Sequence, residues 1–336
     1  MNILYQCNDK YAPYCGISVT SLFENNKDAD SICVYILDDN ISDINKNKFS
    51  ILAEKYDREI KYIETQPLIS KMKELGIPTY RGSYTTNMKM FVNEFIADDV
   101  DRLIYIDSDT IVSGSLSDLL AVDFNGKPIA MVLDSLVEKY KCLVGLKEED
   151  RYFNAGVLLF NVKQWKEQKC TEKIIEHTKK VRAQYSAPDQ DLINLNIRDD
   201  ILLLSPKFNM QPALYMFDLK TYFKVFNNPS YYSMSEIEET KKDVRIYHFF
   251  RVMGEFPWHK DNLHPFNDLF DKYMKISPWA DYIKQPSQAS AVFSVEKLMY
   301  KCLPKPVFAQ LFKMSHEFFM AKSNKMSLKQ ENNKLM

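Results

Sequence analysis

The sequence predicts an α/β fold with a mostly parallel central sheet, followed by a small helical C-terminal region. Three observations carry this. Short apolar, β-branched runs alternate with longer helix-compatible segments from the first residues onward. The run 103–106 is apolar without interruption, as expected of a strand covered on both faces. After Pro257 strand patterns cease, and the chain ends in a Lys-rich, helix-compatible stretch.

The elements follow in order. Residues 2–7 read as a strand, 11–25 as a helix, 32–38 as a strand and 42–56 as a helix. Strand 59–64 follows, and a helix over 85–96 leads into strand 102–107. Two further apolar strands cover 129–133 and 153–160. A long helix is expected over 162–185 and a shorter one over 189–198, then strands at 201–204 and 244–249. The domain division expected is 1–260 for the α/β unit and 261–336 for the helical region, since 336 residues exceed the usual single-domain size.

The strand at 102–107 is the most informative, because it ends in two carboxylates, Asp107 and Asp109. Ligand sites in such sheets lie beyond the carboxyl ends of the strands. Side chains two apart in extended backbone share a face, with roughly 6.6 Å between Cα atoms. Two carboxylates there can hold one hard divalent cation, while Ser108 points away. The plainer alternative is an Asx-type turn with both acids solvated.

Composition narrows the classes. The formal net charge of −1 gives no general reason for nucleic-acid binding. With eight glycines and no Gly-x-Gly-x-x-Gly or Walker loop, a nucleotide here is not held by a glycine-rich phosphate cradle. The six cysteines are scattered without Cys-x-x-Cys, so reduced core thiols of a cytoplasmic protein are expected. The opening residues read as a strand rather than a signal peptide, and no run approaches the ~18 apolar residues of a membrane span.

Other polar residues sit at the ends of apolar strands or helices. Asn154 opens Phe153-Asn-Ala-Gly-Val-Leu-Leu-Phe-Asn161, where Ala155 and Gly156 allow close approach to the backbone; a strand-start turn would explain it too. Asp189, in Pro188-Asp-Gln-Asp191, is placed as a helix N-cap, whereas Gln190 has no capping role. His248 ends Val244-Arg-Ile-Tyr-His248. It reads either as a satisfied structural histidine or, with Asp107 and Asp109, as a half-shell for Mn²⁺ that leaves positions for phosphate oxygens.

Together these segments resemble the family 8 retaining glycosyltransferases, and among them the bacterial lipopolysaccharide α-galactosyl- and α-glucosyltransferases. Ile3-Leu-Tyr-Gln-Cys-Asn-Asp-Lys-Tyr11 resembles the family's first strand and nucleotide loop, and Tyr105-Ile-Asp-Ser-Asp-Thr110 its Asp-x-Asp motif. The segments around Asn154 and Asp189-Gln-Asp-Leu-Ile-Asn194 are similar to its donor-sugar motifs, and His248-Phe249 with Pro257-Trp258 to its terminal element. The resemblance implies a GT-A fold, a UDP-hexose donor (glucose or galactose) and Mn²⁺, with Mg²⁺ as the alternative ion. It implies Asp107, Asp109 and His248 as metal ligands, Asn8 and Tyr11 at the uracil, and Ser108 at the ribose. Lys89 would reach the diphosphate or sugar, and Asn154, Ala155, Gly156, Asp189 and Gln190 would surround the hexose, with Gln190 on the face where a nucleophile or ion-stabilising group belongs. The acceptor implied is a saccharide such as lipopolysaccharide core, met by loops such as 135–150 and 210–240.

The chain departs from the family pattern in places. Asn8 replaces an acid and Lys89 an arginine, which loses the bidentate fork but keeps the charge. Arg251 stands where a glycine is usual, the segment before Pro257-Trp258 is longer, and Phe256 replaces a phosphate-binding lysine. Arg251 is the candidate to supply the lost positive charge to the diphosphate.

In the tail, lysines 297, 301, 305, 313, 322, 325, 329 and 334 outnumber the glutamates, and Phe308, Leu311, Phe312, Phe318 and Phe319 fall at mostly helical spacings. An amphipathic helix on an anionic inner leaflet is one reading, and packing on the catalytic domain the other. Two further classes compete for the function. A degenerate sugar-nucleotide-binding scaffold is one. A self-glucosylating, glycogenin-like transferase is the other, with Tyr231 and Tyr232 as candidate acceptors. A haloacid-dehalogenase-type phosphatase is disfavoured, because Ile111 stands where its threonine is required.

Overall fold

The computed structural model describes residues 1–80, 82–137, 140–181, 185–288 and 290–332, with side chains as far as Lys322. Its centre is a seven-stranded sheet in the order β3-β2-β1-β4-β7-β6-β8. The strands are β1 (Asn2–Asn8), β2 (Cys33–Asp39), β3 (Glu59–Glu64), β4 (Arg102–Ile106), β6 (Ile129–Leu133), β7 (Phe153–Asn161) and β8 (Ile201–Leu203). A separate two-stranded ribbon pairs β5 (Thr110–Val112) with β9 (Ile246–His248).

Residues 103–106 of β4 are fully buried, as their unbroken apolar run requires. Burial of each such side chain contributes about 1.5–3 kcal/mol, which offsets the cost of holding charge at the strand's end. The sheet is parallel except at β7, which runs antiparallel to both β4 and β6. The reversal has a functional result. Asn154 lies at the start of β7 and Asp107 just beyond the end of β4, so both reach the same rim of the sheet.

The segment expected as one helix over 162–185 is two helices, Val162–Glu167 and Cys170–Lys180. They are broken at Lys169, which takes a left-handed backbone (φ 54°); its last turn, 182–184, lies outside the described residues. Residues 85–94 form a 3₁₀ helix kinked at Phe91 rather than a regular α-helix. Helix Gln66–Glu74 had no matching expectation, and the segment 210–240, expected as a loop, instead carries the helices Leu219–Phe226 and Met234–Thr240, each started by a capping side chain (Asp218 and Ser233). Of the cysteines, Cys7, Cys15 and Cys170 are buried free thiols, while Cys142 and Cys302 are exposed.

Residues past 260 pack into the sheet's surroundings. Trp279 lies against Phe49 with ring centroids 4.9 Å apart. A Cβ on Gly16 would meet the Trp279 ring at 2.0 Å, so only glycine lets helix Ala12–Glu24 approach it. Phe266, Phe270 and Tyr273 join Ile17, Ile111 and Phe249 in a second apolar cluster. The terminal helices are Ala291–Cys302 and Lys305–Asn332. Phe308 is fully buried and Phe312 packs beside it against Phe217 and Phe226. Phe318 and Phe319 remain exposed. The aromatic spacing in the tail is therefore explained in part by packing on the domain; Lys334 lies outside the described residues. Among the described residues no helix is long and apolar enough to cross a membrane.

Candidate active site

The site is assembled by the β5–β9 ribbon. Thr110 pairs with His248 across it, and Phe249 N–H donates to the Asp109 carbonyl at 2.7 Å. This register delivers His248 to the two aspartates although the chain separates them by the whole middle of the fold. His248 Nε2 lies 3.4 Å from Asp109 Oδ1 and 3.7 Å from Asp107 Oδ2. One ligand atom from each of the three residues lies within 4.8 Å of the others. These separations are long for direct hydrogen bonds. Two carboxylates and an imidazole facing one point form a donor set suited to a divalent cation.

The imidazole is held from behind. Its Nδ1 is 3.0 Å from Asn209 Oδ1. With Nδ1–H donating there, Nε2 keeps its lone pair directed at the aspartates, which is the tautomer a metal ligand needs. Met210 N–H donates to Ile246 O, and His248 N–H to Met210 O, which sets Asn209 alongside β9. Gly156 also lies close against the ring: an added Cβ would lie 2.0 Å from His248 Cε1 and 2.5 Å from Nδ1. The backbone approach expected at Ala155-Gly156 is thus made by His248 itself.

A polar network extends from Asn209. Its Nδ2 donates to Asn154 Oδ1 at 2.8 Å, and Asn154 Nδ2 donates to Gln190 Oε1 at 2.9 Å and Asp134 Oδ2 at 3.0 Å. Gln190 Oε1 also accepts from Ala155 N–H, and Gln190 Nε2 donates to Asp134 Oδ2 at 3.1 Å. Gln190 is therefore fixed in orientation by three partners.

Lys89 is buried, and its ammonium lies 2.8 Å from Asp189 Oδ2, 3.4 Å from Asp107 Oδ1 and 2.9 Å from Ala155 O. Burial works to depress its pKa, yet Asp107 and Asp189 outweigh this and hold it above its ordinary value. Burial pushes the Asp107 carboxyl up, opposed chiefly by Lys89. The Tyr105 hydroxyl donates to the same Asp107 oxygen. Asp189 does not cap its helix: Ala187 is the N-cap of Pro188–Ile197, and Asp189 sits in the first turn facing Lys89.

Asp191 anchors that helix. Tyr140 and Tyr152 hydroxyls each donate to it at 2.6 Å, and Ala187 N–H donates at 3.1 Å. Burial pushes its carboxyl up to about 7, against those three donors.

The remaining expected residues lie at or beside this rim. Ser108 Oγ donates to Gln6 O at 2.7 Å, tying the loop after β4 to β1. Asn8, at the end of β1, accepts from Tyr11 N–H at 3.1 Å. The Tyr11 ring lies edge-on to Tyr14 and Trp258, and Tyr14 stacks on Trp258 at 4.0 Å. Arg251 is exposed, with its guanidinium 5.5 Å from the Phe256 ring centre. The longer segment after it is a tight turn, Val252 and Glu255 exchanging backbone hydrogen bonds around Met253 and Gly254, both with positive φ. Of the Tyr231-Tyr232 pair, Tyr232 is buried and its hydroxyl donates to Leu204 O at 2.6 Å.

Sequence reasoning missed Asn209 and Asp134. Asp134 was findable, since it follows the fully apolar β6 as Asp107 follows β4. Asn209 ends a short 3₁₀ turn, with no periodic pattern to mark it.

A mostly parallel sheet, a strand-end aspartate pair, a ribbon-borne histidine and an amide network along one rim define a GT-A-type glycosyltransferase. The model of glycosyl transferase family 8 matches residues 2–262. The chain belongs to that family. It is 26% identical over 282 residues to General stress protein A of Bacillus subtilis strain 168, covering 83% of this chain and 94% of that one. It is also 26% identical over 301 residues to the lipopolysaccharide 1,2-glucosyltransferase of Escherichia coli K12, covering 88% and 83% respectively. Among solved structures it superposes on the galactosyltransferase LgtC, crystallised with donor and acceptor sugar analogs. That match has a TM-score of 0.66 and 25% identity over 82% of this chain and 96% of the other. The bifunctional glycosyltransferase WbbM, at 20% identity and a TM-score of 0.68 over 83% of this chain and 50% of that one, shares the fold.

Proposed function

We propose that this chain is a retaining hexosyltransferase moving glucose or galactose from a UDP-sugar to a saccharide acceptor such as lipopolysaccharide or lipooligosaccharide core. The observation that carries the reading is His248 Nε2 facing both Asp107 and Asp109 while Asn209 occupies Nδ1. Asp107, Asp109 and His248 would hold Mn²⁺, or Mg²⁺ in its place, which when bound neutralises charge gathering on the β-phosphate of the departing UDP.

The chain's own groups do the rest. Asn8 and Tyr11 take the uracil and Ser108 the ribose at the β1–β4 rim. Lys89 fixes Asp189, whose carboxylate accepts from hexose hydroxyls. Asn154 and Gln190 present amides to the sugar from a network that cannot turn freely, a positioning role that spares entropy at the moment of reaction. The Gln190 side chain faces the anomeric region, where positive charge develops. Arg251 carries the positive charge that the loop after His248 otherwise lacks, and acts on the diphosphate. We take 1–260 as the catalytic unit and 261–336 as the C-terminal region that follows it. The enzyme works in the cytoplasm at the inner membrane face, which exposed Phe318 and the tail lysines would touch.

Incubation with UDP-glucose or UDP-galactose and Mn²⁺ tests this directly. Mn²⁺-dependent UDP release without acceptor is expected with one of the two donors. No release and no Mn²⁺-dependent UDP binding would leave a sugar-nucleotide scaffold as the better description. Equal pelleting of full-length protein and a 1–290 truncation with anionic liposomes would reject membrane contact through the tail.

A further inference from the structure

A cavity of ≈ 330 Å³ opens beside Gln190 and Asp134, within the roughly 300–1,000 Å³ range of small-molecule sites. Its inner wall carries Asp134, Gln190 and Arg251. Its outer wall comes from the terminal helices, with Phe293 and Glu296 from the first and Phe312, His316, Phe319 and Met320 from the second. The outer wall lies wholly beyond residue 262, where the family match ends.

The wall is fastened to the catalytic loop. Lys297 pairs with Glu255 at 2.9 Å and donates to Asp261 O at 2.7 Å. Gly254, at the tip of the turn after His248, sits so close to Phe293 that a Cβ would lie 2.6 Å from its ring. Lys313 donates to Val225 O at 2.9 Å, and Phe312 packs on Phe217 and Phe226. The helices are therefore held in register with the donor residues.

We infer that the helices Ala291–Cys302 and Lys305–Asn332 complete the acceptor site. The ligand is a glycoside whose sugar meets Asp134 and Gln190 and whose apolar aglycone lies against Phe312, Phe319 and Met320. The inference rests on the transferase reading and names the acceptor class for it. Glu296 and His316 stand among the apolar groups as hydrogen-bonding partners for sugar hydroxyls. Burial raises the Glu296 carboxyl above its ordinary value, opposed by His316. Aromatic rings facing a few convergent polar groups are what an amphipathic glycoside requires.

The test uses the full chain loaded with UDP and Mn²⁺. Methyl and octyl β-D-glucopyranoside and β-D-galactopyranoside are titrated calorimetrically, the octyl forms below their micellar concentration. At least one octyl glycoside should bind at least about 10-fold more tightly than its methyl counterpart. Phe319→Ser with Met320→Ser should abolish the preference, and Glu296→Gln should weaken both forms by about 3-fold or more. Val292→Ser with Leu298→Ser removes exposed apolar side chains of the same region away from the cavity, and should preserve the preference. Equal binding of octyl and methyl forms overturns the inference, as does loss of the preference in the Val292/Leu298 control. Mn²⁺-dependent UDP binding is measured in every variant to report folding. Its absence from the unsubstituted chain would instead remove the transferase reading, and the inference with it.

Discussion

Asn209 Oδ1 lies 3.0 Å from His248 Nδ1 and thereby decides which imidazole nitrogen faces Asp107 and Asp109. Asn209→Ala frees the ring to rotate and to change tautomer. Mn²⁺ affinity, titrated by electron paramagnetic resonance in the presence of UDP, should fall about 10–100-fold. Asn209→Asp keeps an acceptor at that place and should fall less. An unchanged affinity in Asn209→Ala would show that the ring is held by packing alone.

Gly156→Ala crowds the same ring. The new methyl would meet His248 Cε1 at 2.0 Å and Nδ1 at 2.5 Å, so the imidazole must leave its place. Overpacking of this kind costs about 1–3 kcal/mol of stability. The unfolding free energy from urea denaturation should drop by that amount, and Mn²⁺ binding should be lost more completely than in Asn209→Ala.

Lys89→Met leaves Asp107 and Asp189 without their shared buried cation. Removing one partner of a buried pair costs about 3–5 kcal/mol, measurable by urea unfolding. Mn²⁺ with UDP should restore part of this loss, because Asp107 regains a positive neighbour. Recovery equal to that of the unsubstituted chain would argue that Asp189 needs no cation.

The Asp191 carboxyl gives a pH signature. It titrates near 7 in the folded chain against an ordinary 3.8. Between those values the folded chain keeps a proton that the unfolded chain has released. Its contribution is complete below the lower value and is lost as pH rises through the upper one. Stability should therefore decline across pH 4–7 by at most about 1.4 kcal/mol per unit from this group. Asp191→Asn should flatten that slope in thermal melts taken at successive pH values.

Arg251→Ala should weaken UDP binding about 10-fold in low salt and less at high salt, as expected of an exposed charge. An unchanged dissociation constant and turnover would remove Arg251 from the diphosphate.

Much of the sheet was legible because buried strands must be apolar and their ends must be polar. Asp107, Asp109 and His248 share that signature, so their convergence could be anticipated from two separate runs. The break at Lys169 could not, because neither glycine nor proline marks it and a lysine absorbs the left-handed backbone. The reversal of β7 was also hidden, since a strand buried on both faces reads alike in either direction. Asp189 looked like a helix cap because local sequence cannot see Lys89, a partner supplied by a different part of the chain.

The ribbon that carries His248 has a consequence for synthesis. All seven strands of the central sheet have been synthesised by Leu203, while His248 follows only with β9. A growing chain can thus lay down every strand of its central sheet before His248 is available to join Asp107 and Asp109.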